Sequence, residues 1–328
     1  MIDAIAVVGP TASGKTELSL KLAEKLNTEI ISADSMQFYQ GMEIGTSAPS
    51  PQERKKVPHH FVAFVPPDFE MNAGYYQDIA RKEIQRIQSY GKIPIIVGGS
   101  GLYISAVTDG LFEGPGKNEE IRKKIKLEIE TYGIENVYQK LLSIDPHYAK
   151  KLTSKNDIVR IVRALEVYEL TGKPYSEWHK EHKEKAEPLS VLFVAINWDR
   201  NILYERINLR VHEMIKSGWI EEVIELIEKG YEKDIYRLKA LGYRELIEFI
   251  RGNQSLEQAI ENIKLHHRHY ARRQIIWFRS DKRVKWFNAS TSNDLENIVN
   301  EIIREIESCE LTVNIKEKDK CFLFRLMK

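Results

Sequence analysis

Residues 4–16 have the sequence Ala4-Ile5-Ala6-Val7-Val8-Gly9-Pro10-Thr11-Ala12-Ser13-Gly14-Lys15-Thr16, in which an apolar run enters a glycine-rich loop. The second part fits the pattern G-x-x-x-x-G-K-[ST], whose backbone N–H groups surround a phosphate chain. In such loops the lysine neutralises the phosphates and the final hydroxyl residue binds Mg²⁺. The pattern therefore predicts a phosphate site built by Gly9, Pro10, Thr11, Ala12, Ser13, Gly14, Lys15 and Thr16, with Thr16 as the metal ligand.

The segments around this loop alternate between strand patterns and helix patterns. Helical spacing follows the loop directly and recurs over Tyr75–Tyr90. Apolar runs predict strands over Ala4–Val8, Glu29–Ala33, Ile93–Val97 and Leu189–Ile196. This alternation predicts an α/β fold, with a parallel sheet flanked by helices as in P-loop NTPases.

Only helical patterns occur between Asn118 and Gly172, which predicts an all-helical insertion domain. The predicted organisation has four parts. They are the first part of the α/β core (1–113), the insertion (114–187), the completion of the core with C-terminal helices (188–308), and a tail without a clear pattern (309–328). The capping box Ser255-x-x-Gln258 announces a long helix in the third part.

Composition argues against several protein classes. Apolar residues make up 42% of the chain and charged residues 30%, which is typical of soluble globular proteins. The chain has no apolar stretch long enough to span a membrane, and its first residues enter a strand without a signal-peptide pattern. Its two cysteines, Cys309 and Cys321, lie in the tail and do not suggest a disulfide framework or a zinc site. We expect a cytoplasmic monomer that does not bind membranes.

Basic residues concentrate near the C-terminus, although the net charge is only +1. Between Lys264 and Trp286 there are eight Lys or Arg residues and one acid, Asp281. Tyr270, Trp277 and Phe278 are interleaved with them, and this mixture suits a phosphate backbone with unstacked bases. We expect Trp277 and Phe278 to pack in the core, and Arg272 and Arg273 to contact nucleic acid.

Two strand ends indicate which chemistry the loop serves. Ligands of an open parallel sheet bind at the carboxyl ends of its strands, where Asp34 would lie beside Lys15 and Thr16. Asp34 is a candidate general base or Mg²⁺ ligand, and its alternative role is to cap the next turn. The strand Ile93–Val97 ends in Gly98, although a hydrolysing NTPase needs an acid at such a position. This absence favours group transfer.

Paired arginines and paired histidines allow two interpretations each. Arg160 and Arg163 lie three residues apart on one predicted helix, and Arg206 and Arg210 lie four apart on another. Each pair would suit an anion between its members, and each is also compatible with a solvated helix face. The pair His59-His60 has no acid or cysteine at metal spacing, so we interpret these histidines as structural.

Several segments, in their order along the chain, resemble the tRNA dimethylallyltransferase (tRNA isopentenyltransferase) family of bacterial type. The resemblance covers about Ile5–Trp286 and begins with the loop and its entering strand. The further matching segments are Ile31–Tyr39, Gly41–Thr46, Pro58–His60, Val97–Tyr103, Asn156-Asp157, Arg160, Arg163–Glu166, Leu241–Glu245, Arg273-Gln274 and Trp277–Arg279.

The resemblance implies transfer of a dimethylallyl group from its diphosphate to the exocyclic amine of the adenosine 3′ of the anticodon in tRNA. In that family the loop holds the diphosphate with Mg²⁺. Asp34 matches the general base, and Lys15 and Ser100 complete the catalytic set. Arg210 is assigned to the diphosphate. Residues assigned to tRNA are Asp34, Ser35, Met36, Gln37, Ser100, Arg122, Val159, Arg160, Arg163, Arg206, Arg244, Arg272 and Arg273.

Three other functions remain open at this point. The first is a P-loop small-molecule kinase with ATP in the loop, but such an enzyme has no need of the basic C-terminal helix or of Leu241–Glu245. The second is an adenylate isopentenyltransferase, which would prenylate free adenine nucleotides. The third is an RNA-binding module without catalysis, which would not depend on Asp34.

Overall fold

A six-stranded sheet forms the centre of the larger part of the chain. In the computed structural model its strands are β1 (Ala4–Val8), β2 (Ile30–Ser32), β3 (His59–His60), β4 (Ile95–Gly98), β5 (Val191–Trp198) and β6 (Lys285–Ala289). Their spatial order is β3-β2-β4-β1-β5-β6, and every pairing is parallel. The predicted α/β fold with a P-loop-like parallel sheet is therefore confirmed.

The structure describes residues 2–112, 114–291 and 293–308. The tail from 309 onward, with Cys309 and Cys321, lies outside these ranges. Among the described residues no helix combines the length and the apolar content that a membrane span requires. The helices are α1 (Lys15–Leu26), α2 (Pro51–Lys56), α3 (Ala73–Ser89), α4 (Gly101–Asp109), α5 (Glu119–Tyr132), α6 (Ile134–Ile144), α7 (Pro146–Ala149), α8 (Ile158–Thr171), α9 (Tyr175–Lys185), α10 (Arg200–Lys216), α11 (Trp219–Glu228), α12 (Glu232–Leu238), α13 (Tyr243–Ile250) and α14 (Leu256–Ser280), followed by a helix over 294–308.

The apolar run of β1 is continuous because helices cover both faces of the sheet. Ala4, Ala6 and Val8 pack into one hydrophobic cluster, whereas Ile5 and Val7 pack into a second cluster on the opposite face. All five side chains are buried, as expected for the central strand of a parallel sheet. Burial on both faces fixes the point at which the glycine-rich loop leaves the sheet.

The chain forms two compact units. Among the described residues, one comprises those up to Thr108 and those from Leu189 to Ser308, and the other comprises Asp109–Pro188, compared with the expected insertion at 114–187. The smaller unit contains α5 to α9 and has its own apolar core, which includes Ile125, Leu141 and Leu165. It is entirely helical in its regular structure, in agreement with the periodicity of its sequence.

Two strands were not predicted from the sequence. β3 contains only two residues, and β6 begins inside the basic block, where only Ala289 of its five residues is buried. Both lie at the edges of the sheet, so neither carries the apolar run that marks a central strand. The predicted capping box is present at α14, where Ser255 and Gln258 exchange side-chain and backbone hydrogen bonds of 3.0 and 3.2 Å.

Candidate active site

The glycine-rich loop connects the carboxyl end of β1 to the first turn of α1. Gly9, Ala12 and Gly14 adopt positive φ angles of 129°, 61° and 90°. Backbone that passes between left-handed and right-handed conformations directs N–H groups into a concavity that suits an anion. The first turn of α1 adds N–H groups that have no intrahelical partners. The backbone here is therefore suited to phosphate oxygens.

Lys15 extends into a cavity of about 620 Å³ at this edge of the sheet. Its Nζ atom donates to the carbonyl of Pro10 at 2.6 Å. Burial is the main cause that lowers the pKa of Lys15 to about 7, and the neighbouring charge of Arg210 lowers it further. The charge of Asp34 acts in the opposite direction. Because burial disfavours the charged form of Lys15, a bound anion would stabilise that charged form and raise its pKa.

Two arginines from α10 line the same cavity. Arg206 Nε donates to the Ala12 carbonyl at 2.9 Å, so this side chain is anchored to the loop itself. Arg210 Nε donates to Ser47 Oγ at 2.8 Å, and its Nη1 donates to Thr11 Oγ1 at 3.3 Å. Burial lowers the pKa of both guanidinium groups. The predicted pairing of these arginines near one anion is therefore compatible with their positions.

Asp34 follows β2 and lines the cavity. Its Oδ1 accepts a hydrogen bond from the Met36 N–H at 3.0 Å, so the carboxylate does cap the next turn. Its charge acts to raise the pKa of Lys15 and of Arg210, and all three residues line the same cavity. Asp34 therefore caps the turn through Oδ1 and also lines the cavity, where it can contact a ligand.

Ser100 contacts Ser35, the residue after Asp34, and is not one of the described residues that line the cavity. Its Oγ accepts from the Ser35 N–H at 3.0 Å and donates to Ser35 Oγ at 3.1 Å. Tyr270 does line the cavity, and burial together with the charge of Asp34 raises the pKa of Tyr270 to about 12. Ser100 therefore positions the turn that carries Asp34, and Tyr270 is a neutral hydroxyl beside it.

The side-chain amide of Gln37 is held at both ends. Its Oε1 accepts from Ser32 Oγ at 3.1 Å, and its Nε2 lies 3.3 and 3.2 Å from the carbonyls of Thr46 and Ser47. The predicted base contact by Gln37 would therefore require this amide to exchange partners or to use its remaining hydrogen-bonding capacity.

A family model described as IPP transferase matches residues 37–281, which is more than half of the chain. The chain belongs to the IPP transferase family. A relative from Thermoanaerobacter sp. (strain X514), named tRNA dimethylallyltransferase, is 45% identical over 309 residues, covering 92% of this chain and 97% of the relative. The family predicted from the sequence is thus confirmed.

Two solved structures are similar to this IPP transferase chain. One is a tRNA delta(2)-isopentenylpyrophosphate transferase from Staphylococcus epidermidis, with a TM-score of 0.67, 39% identity, and coverage of 93% of this chain and 98% of that one. The other is a eukaryotic dimethylallyltransferase acting on tRNA, with a TM-score of 0.78, 27% identity, and coverage of 94% and 79%.

The cavity of this IPP transferase chain brings together many, but not all, of the predicted site residues. Those that line it are Thr11, Ala12, Ser13, Gly14, Lys15, Thr16, Asp34, Ser35, Met36, Gln37, Arg206, Arg210 and Arg273. Five predicted site residues of the same unit are described by the structure but do not line the cavity: Gly9, Pro10, Ser100, Arg244 and Arg272. Of these five residues, Gly9, Pro10 and Ser100 are buried, whereas Arg244 and Arg272 are exposed.

In the helical unit, Arg122 and Arg163 share one carboxylate. Glu166 is fully buried and accepts from Arg122 at 2.8 and 2.9 Å and from Arg163 at 2.7 Å. The Asn118 N–H donates to the same group at 2.7 Å. These hydrogen bonds outweigh the opposing effect of burial and lower the pKa of Glu166. Glu166, buried inside the helical unit, therefore fixes the orientation of both guanidinium groups.

Arg160 and Arg163 do not form the joint clamp that their spacing suggested. Arg163 turns towards Glu166 and the Pro115 carbonyl, whereas Arg160 lies 3.4 Å from Asp157 on its own helix. Val159, directly before Arg160, is 79% exposed. An exposed valine of this kind is available for contact with a partner.

On α14 the prediction of two core aromatics is right for one and wrong for the other. Phe278 is buried, but Trp277 is 40% exposed and lies beside Gly101, where a Cβ atom would be 2.2 Å from the indole Nε1. The two residues are adjacent, so a helix cannot direct both towards the same core. Arg272 and Arg273 are exposed, and the Arg273 guanidinium lies 5.7 Å from the centre of the Tyr270 ring.

His60 has acidic partners that the sequence spacing did not reveal. Its Nε2 lies 2.8 Å from Glu29 and its Nδ1 lies 3.3 Å from Glu83, and Arg86 pairs with both carboxylates. These acids lie 31 and 23 positions away along the chain, so they are partners that no local spacing could indicate. The structural interpretation of the histidine fits an ion-pair cluster that joins β3 to α3.

The sequence did not reveal the roles of two polar residues, the buried Gln274 and the half-buried Glu222. Gln274 accepts from the Thr11 N–H at 2.8 Å and donates to the Gly99 carbonyl at 3.0 Å, which ties the glycine-rich loop to the turn after β4. Glu222 contacts the Gly41–Thr46 segment from α11. A glutamine in the buried stripe of α14, among Ala271 and Phe278, was the available signal for the first.

Proposed function

We propose that this chain transfers the dimethylallyl group of dimethylallyl diphosphate to the exocyclic amine of the adenosine 3′ of the anticodon in tRNA, releasing diphosphate. The observation that carries the proposal is one cavity with two kinds of groups. Lys15 and Arg210 supply positive charge at the glycine-rich loop, and Asp34 supplies a carboxylate beside them.

We assign a separate task to each group. The amine nitrogen forms a bond to the first carbon of the dimethylallyl group as the bond from that carbon to the diphosphate oxygen breaks. The diphosphate leaves with the electron pair, and Lys15, Arg210 and the loop N–H groups stabilise its charge. Asp34 takes the proton that the amine loses, since it lies in the same cavity.

The donor set of the cavity suits Mg²⁺, which prefers oxygen ligands. Thr16 lies in the first turn of α1 and lines the cavity together with Asp34. Thr16 would hold the ion together with the diphosphate oxygens, and the ion would supply further neutralisation of the leaving group. Among the described residues, the buried hydroxyl of Ser13 has no hydrogen-bond partner, which leaves a polar group unsatisfied within the loop.

We assign the acceptor side of the cavity to tRNA. Met36 and Gln37 line the cavity next to Asp34, and we assign them to the target base; Arg273 lines the cavity as well. An anticodon loop is already open, so the cost of extracting its adenosine is small. Arg272 and Arg244, both exposed, are proposed contacts for the tRNA backbone, as are Arg122, Val159, Arg160 and Arg163 in the helical unit.

The function is tested by label transfer. The protein is incubated with labelled dimethylallyl diphosphate, Mg²⁺ and unmodified tRNA, and a tRNA with guanosine at the target position serves as the matched control. Label is expected only on the tRNA that carries adenosine. AMP accepted as efficiently as tRNA would indicate an adenylate isopentenyltransferase. Transfer only from γ-labelled ATP would indicate a kinase.

A further inference from the structure

Glu222, on α11, connects two parts of the chain that are far apart in sequence. Its Oε2 accepts from the Ile44 N–H at 2.7 Å, and its Oε1 accepts from the Gly45 N–H at 2.9 Å and from the Tyr243 hydroxyl at 2.7 Å. Both carboxylate oxygens are therefore used, and every partner is a donor. A carboxylate is the side-chain group that satisfies this arrangement.

The segment that Glu222 holds, residues 41–47, packs too closely to shift without disturbing its neighbours. A Cβ atom at Gly45 would lie 2.1 Å from Trp219 Nε1 and 2.5 Å from the Tyr243 ring. Within the segment, Thr46 Oγ1 donates to the Met42 carbonyl at 2.7 Å. The backbone of the segment is thus pressed against Trp219 at the position where Glu222 binds it.

The other end of the 41–47 segment contacts both substrate regions of the cavity. Ser47 Oγ accepts from Arg210 Nε at 2.8 Å, on the side assigned to the diphosphate. The carbonyls of Thr46 and Ser47 accept from Gln37 Nε2 at 3.3 and 3.2 Å, on the side assigned to the target base. A displacement of this segment would therefore move the partners of both side chains together.

We propose that Glu222 is a positioning residue that holds the 41–47 segment, and through it sets the orientation of Arg210 towards the diphosphate and of Gln37 towards the tRNA. The inference rests on the proposed function for the identity of the two substrates. It adds a residue that reaches the substrates only through the segment. Neither Arg210 nor Gln37 touches Glu222 directly in the hydrogen bonds above, so the segment is the connection between them.

The test substitutes Glu222→Gln, which keeps the shape of the side chain but turns one acceptor into a donor facing a backbone N–H. Glu221→Gln is the matched control, because Glu221 is the exposed neighbour on the same first turn of α11. Three quantities are measured on folded protein well below its unfolding temperature: the Kd for inorganic diphosphate, the KM for dimethylallyl diphosphate, and the KM for tRNA.

We expect Glu222→Gln to raise all three constants by about 3- to 30-fold, the range in which residues of a contiguous network change coupling between sites. The kcat at saturating substrates should fall as well, because Arg210 also stabilises the charge of the departing diphosphate. Glu221→Gln should match the wild type. A purely structural role for Glu222 would lower the unfolding temperature and leave the constants of the folded enzyme unchanged, and that result would overturn the inference.

Two further arms keep the outcome interpretable. If Glu222→Gln does not fold, Glu222→Asp is used instead, because it keeps both carboxylate oxygens but holds them farther from the 41–47 segment. Constants equal to the wild type in this variant would also overturn the inference. If wild-type protein transfers no dimethylallyl group, the proposed function fails, and the Kd for inorganic diphosphate still decides whether Glu222 positions Arg210.

Discussion

The low pKa of Lys15 predicts that the protein binds dimethylallyl diphosphate more weakly as the pH rises above neutral. Burial and the charge of Arg210 lower this pKa to about 7 in the free protein, so about half of the molecules carry a neutral Lys15 at pH 7. A bound diphosphate favours the charged amine and raises the pKa again. Binding must therefore take up a proton whenever Lys15 starts neutral.

The size of the effect follows from the fraction of charged Lys15. With a pKa of about 7 in the free protein, this fraction is roughly one half at pH 7, one in eleven at pH 8 and one in a hundred at pH 9. Apparent affinity scales with the competent fraction, so the Kd should rise about fivefold between pH 7 and 8 and about fiftyfold between pH 7 and 9. The terminal phosphate loses its last proton near pH 6, so the ligand contributes little above pH 7.

Titration calorimetry with dimethylallyl diphosphate, without acceptor, measures both parts of this prediction. In two buffers of different protonation enthalpy, uptake of about half a proton is expected at pH 7 and nearly a full proton at pH 9. Lys15→Arg is the control, because a guanidinium stays charged and the pH dependence should flatten whatever the absolute Kd. A wild-type Kd that is constant from pH 7 to 9, without proton uptake, would refute the reasoning.

Three further variants test other parts of the molecule. Asp34→Asn keeps the hydrogen-bond acceptor of the turn but loses the base, so we expect kcat to fall by about 10²- to 10⁴-fold with the tRNA Kd nearly unchanged; a wild-type rate would exclude Asp34 as the base. The double variant Arg272→Ala/Arg273→Ala should weaken tRNA binding and reduce the slope of log K against log salt by about 1–2, and an unchanged slope would remove these residues from the interface. Glu166→Ala removes the partner that Arg122 and Arg163 share, and these two side chains are 27% and 26% exposed, so urea unfolding of the helical unit should show a loss of about 1.5–3 kcal/mol, and a loss below about 0.5 kcal/mol would contradict that role.

Local sequence determined the elements that carry the phosphate chemistry. The apolar run of β1, the glycine pattern after it and the helical spacing of α1 follow one another without interruption, so neighbouring residues alone define the loop. The same holds for the capping box at Ser255 and for the helical character of the insertion. In each case the interacting groups lie within a few residues of one another, and short-range periodicity and capping report on them directly.

Tertiary structure decided which side chains support this chemistry. Glu222 reaches Gly45 across 177 residues, and Gln274 reaches the Thr11 N–H across 263 residues. A single glutamate or glutamine carries no periodic signal, since its partner is set by how the helices pack on the sheet. The partner of Arg122 could not be predicted for the same reason, because Arg122 lies on α5 and its partner Glu166 lies on α8.

The sequence by itself determined the parallel sheet, the phosphate loop and the family, because these depend on contiguous patterns and on the order of motifs. It did not determine that Lys15 titrates near neutral pH, that Gln37 is held by the 41–47 segment, or that Trp277 is exposed. Each of these depends on burial and on the distance to groups from other elements. Those quantities exist only once the chain has folded.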